Sequence, residues 1–525
     1  MVLNKSSLSL LPTDTNEIIN AVSQMLAKTS AGHDHLSMQL MKLAMPFVAQ
    51  PLADIINKSF IEGVFPDELK IAKVCPMFKS GDQCHISNYR PISILPSFSK
   101  VFERLMYNRL LSFLDKNNVL FRNQFGFRAN HSTSMAVIEM VDRISAAIEE
   151  KKFSIGIFID LSKAFDTVNH SILLDKLEHY GIRGIALEWF KSYLSNRKQF
   201  VEYNNSKSSL KEITCGVPQG SILGPLLFLL YVNDISNVSK ILHFILFADD
   251  TNIFLSDQNV DSLISIANNE LCKLTKWFLA NRLTVNVTKS NFIFFRSQKA
   301  KSTPTCSNLM LNGKTLLQVN SAKFLGIYID EHLNWKKHTT ELQMKISKNC
   351  GILSKLKHHL SAKLLLLLYN SLILPYLNYC VCIWAETSLV NIKPIIKLQK
   401  RCIRIVAQAG FKSHSDPLFK KFSVLKVTDL HIMQVAHLMY KNARHKLPST
   451  FESYFMLSNE VHHHYTRSST KYFVPYCRTV GRSHSFKLSG PRVWNSLPPD
   501  VIAAESESIL KKRLKKYLLE MYTNN

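Results

Sequence analysis

Three aspartates have the side-chain types and spacing needed for metal-dependent chemistry. Asp249 and Asp250 are adjacent, between two strand-like runs at 241–247 and 253–255, which predicts a β-hairpin with acids at its tip. Asp160 ends another apolar, β-favouring run at 153–159, 89 residues before Asp249. Mg²⁺ prefers such oxygen ligands, and two divalent ions roughly 3.5–4 Å apart can clamp the attacking and leaving oxygens of a nucleotidyl transfer. The alternative is a solvated turn, since Asp is common in turns.

The chain is long and strongly basic. Its 525 residues hold 65 Lys and Arg against 39 Asp and Glu, a formal net charge of +26. Hydrophobic residues make up 46% and charged residues 20%, which indicates a globular rather than a disordered protein. So large an excess of positive charge favours a polyanionic partner, and nucleic acid is the first expectation.

The cysteines and the apolar runs predict an intracellular protein, nuclear or cytoplasmic, without a membrane partner. The ten cysteines have no disulfide-framework spacing, and the N-terminus has no signal-peptide core. The strongest apolar run, 222–232, is too short to cross a bilayer. Cys380, Cys382, Cys477 and the histidines at 462–464 fit no zinc-binding spacing, so no zinc is expected.

Hydrophobic periodicity divides the chain into regions. Residues 1–63 have helical spacing in two sets, 18, 19, 22, 25 and 36, 40, 43, 47. Helices are predicted at about 98–116, 132–150, 171–195, 220–232 and 259–280. Strands are predicted at 199–203, 211–214, 283–287, 291–295 and 323–329. Strands and helices therefore alternate to about residue 335, and 338–445 is predicted to be mostly helical.

Three blocks around the aspartates resemble reverse transcriptases. Residues 159–166 (I-D-L-S-K-A-F-D) resemble the first catalytic block, and 244–250 (F-I-L-F-A-D-D) the second. Between them, 216–225 (G-V-P-Q-G-S-I-L-G-P) resembles the P-Q-G-S-x-L-G-P block. The F-A-D-D form is typical of non-LTR (LINE-type) retrotransposons and group II introns.

Further blocks extend the resemblance to residues 25–345. Residues 28–34, 88–93 (N-Y-R-P-I-S) and 124–128 (Q-F-G-F-R) are similar to blocks in and ahead of the fingers of the non-LTR group. Residues 283–290 are similar to the palm block that carries a lysine, and 323–326 (K-F-L-G) to the primer grip. Residues 490–498 resemble jockey- and CR1-type elements.

The resemblance implies an α/β (α+β) right-hand polymerase. Its expected parts are a helical extension (1–63), fingers and palm (64–335, with fingers to about 152 and an antiparallel palm sheet from 153), a helical thumb (336–445) and a basic C-terminal region (446–525). Complete elements also carry an endonuclease ahead of the polymerase, and nothing before residue 25 could hold one. A truncated copy, a partial gene model or a host-retained fragment is therefore expected.

The resemblance also implies roles for particular residues. Asp160, Asp249 and Asp250 would hold Mg²⁺, or Mn²⁺ in its place, with the Leu161 carbonyl as a further ligand. Among the substrate-binding residues, Lys79 and Arg90 would grip the triphosphate, and Phe165 would be a gate against the ribose 2′-hydroxyl. The residues beneath the nucleotide would be Gly216, Gln219 and Gly220. Lys289 would lie beside the departing pyrophosphate. For Phe165 the alternative is a core residue. For Lys79 and Lys289 it is an ordinary surface cation.

A final set is expected to contact nucleic acid. It consists of a fingers residue, the primer grip and a basic thumb face: Arg128; Phe324, Leu325 and Gly326; Lys397, Lys400, Arg401 and Arg404. Most charged helix faces are only solvated, which is the alternative for the thumb. The basic run 511–516 could likewise contact nucleic acid or simply end the chain.

The function that follows is RNA-directed DNA synthesis. Deoxynucleotides would be added to the 3′-hydroxyl of a DNA primer on an RNA template, with the element's own RNA as the expected template. Two alternatives remain open at this point. One is another palm polymerase such as an RNA-dependent RNA polymerase, and the other is a catalytically silent nucleic-acid-binding remnant.

Overall fold

The computed structural model describes residues 4–204, 206–297, 308–461 and 471–522. The strands are β1 (Ile71–Phe78), β2 (Tyr89–Ile94), β3 (Phe153–Ile159), β4 (Lys198–Tyr203), β5 (Ser206–Lys207), β6 (Lys211–Glu212), β7 (His243–Phe247), β8 (Asp250–Asp257), β9 (Asn291–Phe295), β10 (Met310–Leu311), β11 (Lys314–Thr315), β12 (Leu317–Gln318), β13 (Ser321–Phe324) and β14 (Ile327–Asp330). The helices of the first 335 residues are α1 (Thr15–Gln24), α2 (Met38–Glu62), α3 (Ser97–Lys116), α4 (Thr133–Glu149), α5 (His170–His179), α6 (Ile185–Leu194), α7 (Leu223–Val232) and α8 (Val260–Ala280).

Beyond residue 335 the named elements are helices. They are α9 (Lys336–Leu356), α10 (Ala362–Leu372), α11 (Leu374–Asn378), α12 (Val381–Trp384), α13 (Leu389–Val406), α14 (Asp416–Lys421), α15 (Val427–Ala443), α16 (Ser458–Val461), α17 (Val480–Ser483), α18 (Phe486–Asn495), α19 (Pro499–Ile502) and α20 (Glu507–Glu520). Side-chain caps fix several starts, such as Ser132 before α4, which accepts from the Met135 N–H.

The central sheet has five strands in the order β12-β9-β3-β8-β7. β3 is antiparallel to both β8 and β9, and the short β12 is parallel to β9. Because side chains alternate along a strand, β3 contributes to two cores. Ile155, Ile157 and Ile159 belong to one core, whereas Phe158 belongs to the other.

The first core is covered by helices that precede residue 281. Its aromatic centre is Trp189, which stacks on Tyr193 with ring centroids 5.6 Å apart and meets the edge of Phe65. The second core lies on the other face of the sheet and joins α4, the β13–β14 hairpin and the helices from α9 onward.

A second sheet has the order β2-β1-β4-β5, with β6 also paired to β4. β1 is antiparallel to β2 but parallel to β4, so β1 and β4 are joined by a long crossover connection. Of the two cations predicted to grip the triphosphate, Arg90 lies on β2 of this sheet and Lys79 directly follows β1.

The C-terminal region packs on α4. Arg482 on α17 lies 2.8 Å from the Asp142 carboxylate, and Thr479 and Arg478 bond Glu149 at the end of the same helix. The Tyr454 hydroxyl donates to Glu139, one turn before Asp142. Three positions along α4 are thereby tied to residues more than 300 positions later.

Most predicted elements are confirmed, including the strand at 153–159, the acidic hairpin and the helices α3, α4 and α8. Three predictions are wrong. The 171–195 helix is two helices, broken at Gly181 and Gly184, which have φ of +101° and +57°. The 323–329 strand is a hairpin. Residues 283–287 form no strand and make one isolated bridge, between Val285 and Leu161.

The predicted apolar face of α2 is also reversed. Leu43 and Phe47 are 71% and 84% exposed, while Met41, Met45 and Ile56 face the core. The helix is apolar on both sides, so spacing alone selects the wrong face. In the described part of the chain, no helix is both long and apolar enough to span a membrane.

Candidate active site

Strand register brings the three aspartates to one edge of the central sheet. β3 and β8 are antiparallel with Ile159 opposite Thr251, so Asp160 leaves β3 at the level where Asp250 begins β8. Phe247 pairs with Asp250, and Ala248 and Asp249 form the two-residue turn between β7 and β8. Ala248 takes the left-handed conformation that such turns require, with φ of +56°. The juxtaposition predicted for Asp160, Asp249 and Asp250 is present.

The backbone around Asp160 is held by the segment 283–290. The Asp160 N–H donates to the Ser290 hydroxyl at 3.1 Å, and the Asp160 carbonyl accepts from the Asn286 N–H at 2.8 Å. Leu161 lies opposite Val285. The exposed Lys289 directly precedes Ser290, which places its backbone beside that of Asp160.

Burial and the acidic surroundings raise the pKa of two of the carboxyl groups, Asp249 and Asp250. Desolvation, together with the charges of Asp249 and Asp160, raises the pKa of Asp250 to about 6. Burial and the Asp160 charge also raise the pKa of Asp249, while a backbone hydrogen bond and the positive charges of Arg90 and Lys79 lower it. The site therefore concentrates negative charge that a cation would relieve.

Lys79 and Arg90 face this charge from the second sheet. Arg90 lies opposite Met77 in the β1–β2 pair, and the Lys79 N–H donates to the Asn88 carbonyl at 2.9 Å. Both side chains are exposed. Lys79, directly after β1, and Arg90, on β2, thus lie close enough to Asp249 for their charges to act on it. Their separation from Asp249 in the sequence does not reveal this proximity.

The donor set fits hard divalent cations but is not a preformed cage. Carboxylate oxygens are the ligands that Mg²⁺ prefers. Within residues 4–204, 206–297, 308–461 and 471–522, no group of three or more His, Cys, Asp or Glu side chains is arranged to hold a metal ion. Asp160 is close enough to help raise the pKa of Asp249 and Asp250, yet in the described part of the chain the three side chains do not form a closed ligand cluster.

The loop 216–220 is joined to two other segments. The Gln219 side chain donates to the Asp166 carboxylate at 2.8 Å, and the Gln219 carbonyl accepts from the Ser93 N–H at 2.8 Å. Burial raises the pKa of Asp166, and the bond from Gln219 lowers it. A Cβ at Gly220 would lie 2.3 Å from the Ser93 carbonyl oxygen, and one at Gly216 would lie 2.7 Å from that of Asp166. The two glycines therefore allow protein segments to approach each other, and the nucleotide approach predicted for them stays a prediction.

Phe165 is half-buried at the edge of the first core. Its ring stacks on Phe228 with centroids 4.3 Å apart and meets the edge of Phe127 at 6.2 Å. The ring is anchored by the core and also partly accessible, so both of its predicted roles are compatible with its position.

Two predicted nucleic-acid contacts, Arg128 and Phe324, have their side chains occupied in the protein, and the Leu325 backbone carbonyl is occupied as well. The Arg128 guanidinium donates to the Phe121 and Gln124 carbonyls, and burial lowers its pKa. Phe324 is 3% exposed and packs on Phe158, so its side chain is unavailable as a contact. In the β13–β14 turn, the Leu325 carbonyl accepts from the Tyr379 hydroxyl, and Gly326 has φ of +85°.

The basic thumb face is only partly free. Lys397 and Arg401 are exposed on α13, whereas Lys400 and Arg404 are half-buried. The Arg404 Nε donates to the Ser413 carbonyl at 2.7 Å, which ties α13 to the following loop.

The cysteine pair considered for zinc lies inside the second core. Cys380 and Cys382 are both buried, and burial raises the pKa of the Cys380 thiol to about 11, which opposes the thiolate that zinc needs. The histidines at 462–464 lie outside the described residues.

Two contacts at the site were missed from the sequence. Asp166, the last residue of the first catalytic block, is the partner of Gln219. Gln124, the first residue of a fingers block, bonds the backbone of the Ala248 turn through its side chain. The block pattern contained both residues, but only the fold shows which segments they join.

Comparison with known proteins defines the class. Residues 78–329 match the family described as reverse transcriptase (RNA-dependent DNA polymerase). These residues are similar to that family, and the α/β right-hand polymerase fold that the blocks predicted is confirmed. The division of the chain at residues 63, 152, 335 and 445 stays a prediction.

The similarity to non-LTR retrotransposon polymerases extends beyond that domain. The chain is 29% identical over 434 residues to "RNA-directed DNA polymerase from mobile element jockey" of Drosophila melanogaster, covering 81% of this chain and 47% of that protein. It is 27% identical over 433 residues to "Probable RNA-directed DNA polymerase from transposon X-element" (80% and 47%), and 29% over 441 residues to the transposon BS protein (81% and 48%), both of the same fly. The predicted resemblance is confirmed, and the chain spans about half the length of these curated relatives.

Proposed function

We propose that the chain is an RNA-directed DNA polymerase that adds deoxynucleotides to a primer 3′-hydroxyl. The observation that carries the proposal is the arrangement at the sheet edge. Three aspartates from β3 and the β7–β8 turn meet there, and two cations from a separate sheet face them. Nucleotidyl transfer needs this combination, because both the metals and the triphosphate must be held in line.

Asp160, Asp249 and Asp250 would hold Mg²⁺, with Mn²⁺ as the alternative ion, and the Leu161 carbonyl would complete the set. A bound ion would supply charge to stabilise the attacking and leaving oxygens. Burial, together with the charges of Asp249 and Asp160, raises the pKa of Asp250 to about 6, and a bound cation would offset the repulsion between these carboxylates. The hydrogen bonds to Ser290 and from Asn286 would keep the Asp160 backbone fixed when a cation binds.

The remaining residues would place the substrate. Arg90, with its planar fork, and Lys79, as a point charge, suit the oxygens of a triphosphate. Gln219, whose side chain donates to Asp166, would lie beneath the nucleotide, and Phe165 would exclude a ribose 2′-hydroxyl. Lys289 would neutralise or protonate the departing pyrophosphate.

The template is proposed to be RNA, from the element itself, and the primer DNA. The name of the jockey relative describes it as an RNA-directed DNA polymerase, and this chain matches it over 434 residues. The exposed cations of α13, Lys397 and Arg401, would contribute to duplex binding through phosphate contacts.

The test is primer extension on poly(rA) annealed to oligo(dT), with Mg²⁺ and dTTP. The parent should extend the primer, and an Asp249→Ala, Asp250→Ala double variant should fall at least a thousandfold. Asp261→Ala is the matched control, because Asp261 is exposed at the start of α8. Use of UTP in preference to dTTP would indicate an RNA polymerase. A folded parent that binds the duplex and never extends it would leave a silent binder as the better account.

A further inference from the structure

We infer that Gln124 is a positioning residue that fixes the turn carrying Asp249 and Asp250. This inference rests on the proposed function and concerns how the two carboxylates are kept in place. Gln124 touches neither of them through any hydrogen bond of its side chain that the structure records. It acts through Ala248, the residue immediately before them.

The side-chain amide of Gln124 bonds both polar groups of the Ala248 backbone. Gln124 Oε1 accepts the Ala248 N–H at 2.9 Å, and Nε2 is 3.5 Å from the Ala248 carbonyl oxygen. The same Oε1 accepts the Gly126 N–H at 2.9 Å. Gln124 is only 2% exposed, so water is not available to replace these bonds.

Ala248 needs such support because of its backbone conformation. Its φ of +56° is in the left-handed region, where a residue with a Cβ is strained. Without a partner for its N–H and C=O, the peptide could relax toward a right-handed conformation. Because Asp249 and Asp250 follow directly, this relaxation would turn both carboxylates away from Asp160.

The neighbouring residues bring Gln124 to the turn. The Leu246 N–H donates to the Asn123 carbonyl at 3.0 Å, and the Phe125 N–H donates to the Leu246 carbonyl at 2.8 Å. Residues 123–125 thereby run beside β7 as a short parallel partner. A Cβ on Gly126 would lie 2.3 Å from the Ala248 nitrogen, so glycine two positions after Gln124 is what allows the approach.

The segment is itself anchored from two distant parts of the chain. The Phe121 N–H donates to Asn233 Oδ1 at 2.7 Å. The Thr450 hydroxyl bonds the Arg122 carbonyl at 3.0 Å and Asn123 Oδ1 at 3.1 Å. Gln124 therefore projects from a fixed backbone, which is what a positioning side chain requires.

The test combines Gln124→Met, Ala248→Gly and the double variant in the full chain. Methionine keeps the volume of glutamine and removes the acceptor and the donor. Gln258→Met is the matched control, since Gln258 is exposed in the loop before α8. Two readouts are taken: steady-state dTTP kinetics on poly(rA)–oligo(dT), and amide hydrogen exchange of the 244–251 segment.

Gln124→Met should lower kcat at least tenfold and leave the dTTP KM and duplex affinity within twofold, while exchange at 244–251 becomes faster. Gln258→Met should match the parent. In the Ala248→Gly background, where the left-handed turn is no longer strained, the loss caused by Gln124→Met should shrink to less than threefold. If the kcat losses of the two single variants simply multiply in the double variant, the inference is overturned. Parent-like kcat and exchange in Gln124→Met would also overturn it.

If Gln124→Met does not fold, Gln124→Glu carries the exchange test. Its carboxylate retains the acceptor for both N–H groups, so protection at 244–251 should persist, and its loss would overturn the inference. If the unsubstituted protein has no polymerase activity, only the proposed function is contradicted. The hydrogen-exchange measurement still reports whether Gln124 holds the turn.

Discussion

At the scale of single residues, Phe165 is the side chain whose role, as a substrate gate or as a core residue, can be decided by experiment. Stacking on Phe228 holds the ring in one orientation, and its partial exposure leaves an edge accessible. A gate needs that combination, because a mobile ring could not exclude a hydroxyl.

We expect Phe165→Val to raise UTP incorporation relative to dTTP by at least tenfold, because a smaller side chain leaves room for the 2′-hydroxyl. The measurement is the ratio of kcat/KM for the two nucleotides on one template. Phe411→Val, at a side chain that is 80% exposed, is the control. An unchanged ratio with a lowered melting temperature would identify Phe165 as a core residue only.

Arg90 supplies a second prediction at this scale. Arg90→Ala should raise the dTTP KM at least tenfold while duplex affinity stays within twofold, because the lost guanidinium faces the aspartates rather than the thumb. Lys211→Ala removes an exposed cation from β6 of the same sheet and should have little effect. Equal losses in both variants would indicate a general electrostatic effect on nucleic-acid binding.

At the scale of elements, the site depends on segments that touch only in the fold. The strands β3, β7 and β8 were predictable because each is a short apolar run bounded by turn residues. The bonds from Ser93 to Gln219, from Gln219 to Asp166 and from Gln124 to Ala248 were not, since a hydrogen bond between distant segments leaves no period in the sequence. Residues 283–287 show the same limit. Their alternation predicts a strand, but tertiary contacts with residues 160–162 replace sheet pairing.

Gly220 tests one of these junctions. Gly220→Ala should destabilise the protein by ~3 kcal/mol and abolish extension, because the added Cβ would meet the Ser93 carbonyl and strain a residue with φ of +131°. Gly313→Ala is the control. It also has positive φ, at +71°, but nothing lies within 4 Å, so a loss of about 1 kcal/mol is expected. Chemical denaturation of both variants separates the clash from the strain, and equal losses would rule out the clash.

At the scale of the whole molecule, the C-terminal region is joined to the polymerase through buried charge. Burial alone would raise the pKa of Glu139, but hydrogen bonds from His243 and Tyr454 and the charge of Arg143 lower it to about 2. The carboxylate thus links β7, α4 and the region beyond residue 445. The basic composition of residues 446–525 did not indicate this packing.

This cluster predicts a pH dependence of stability. A carboxyl whose folded pKa is depressed contributes stability above its unfolded pKa, and loses it as the pH falls through the folded value. Glu139 should therefore contribute on the order of 3 kcal/mol at pH 7, lost between about pH 4.5 and 2. Glu139→Gln should lower the melting temperature at pH 7. As the pH falls from about 4.5 to 2, the melting temperature of this variant should decrease less than that of the parent. Parallel melting curves for parent and variant across this range would contradict the prediction.

The pairing of Arg482 with Asp142 also has a consequence in time. The two residues are 340 positions apart, and Asp142 is largely buried in the finished fold. At a synthesis rate of ~5–20 residues per second, α4 leaves the ribosome roughly 20–70 s before its partner exists. During that interval the acidic turns of α4 and the apolar face behind them have no cover. The yield of folded protein should thus depend on how a cell protects a half-made chain, as well as on the stability of the completed one.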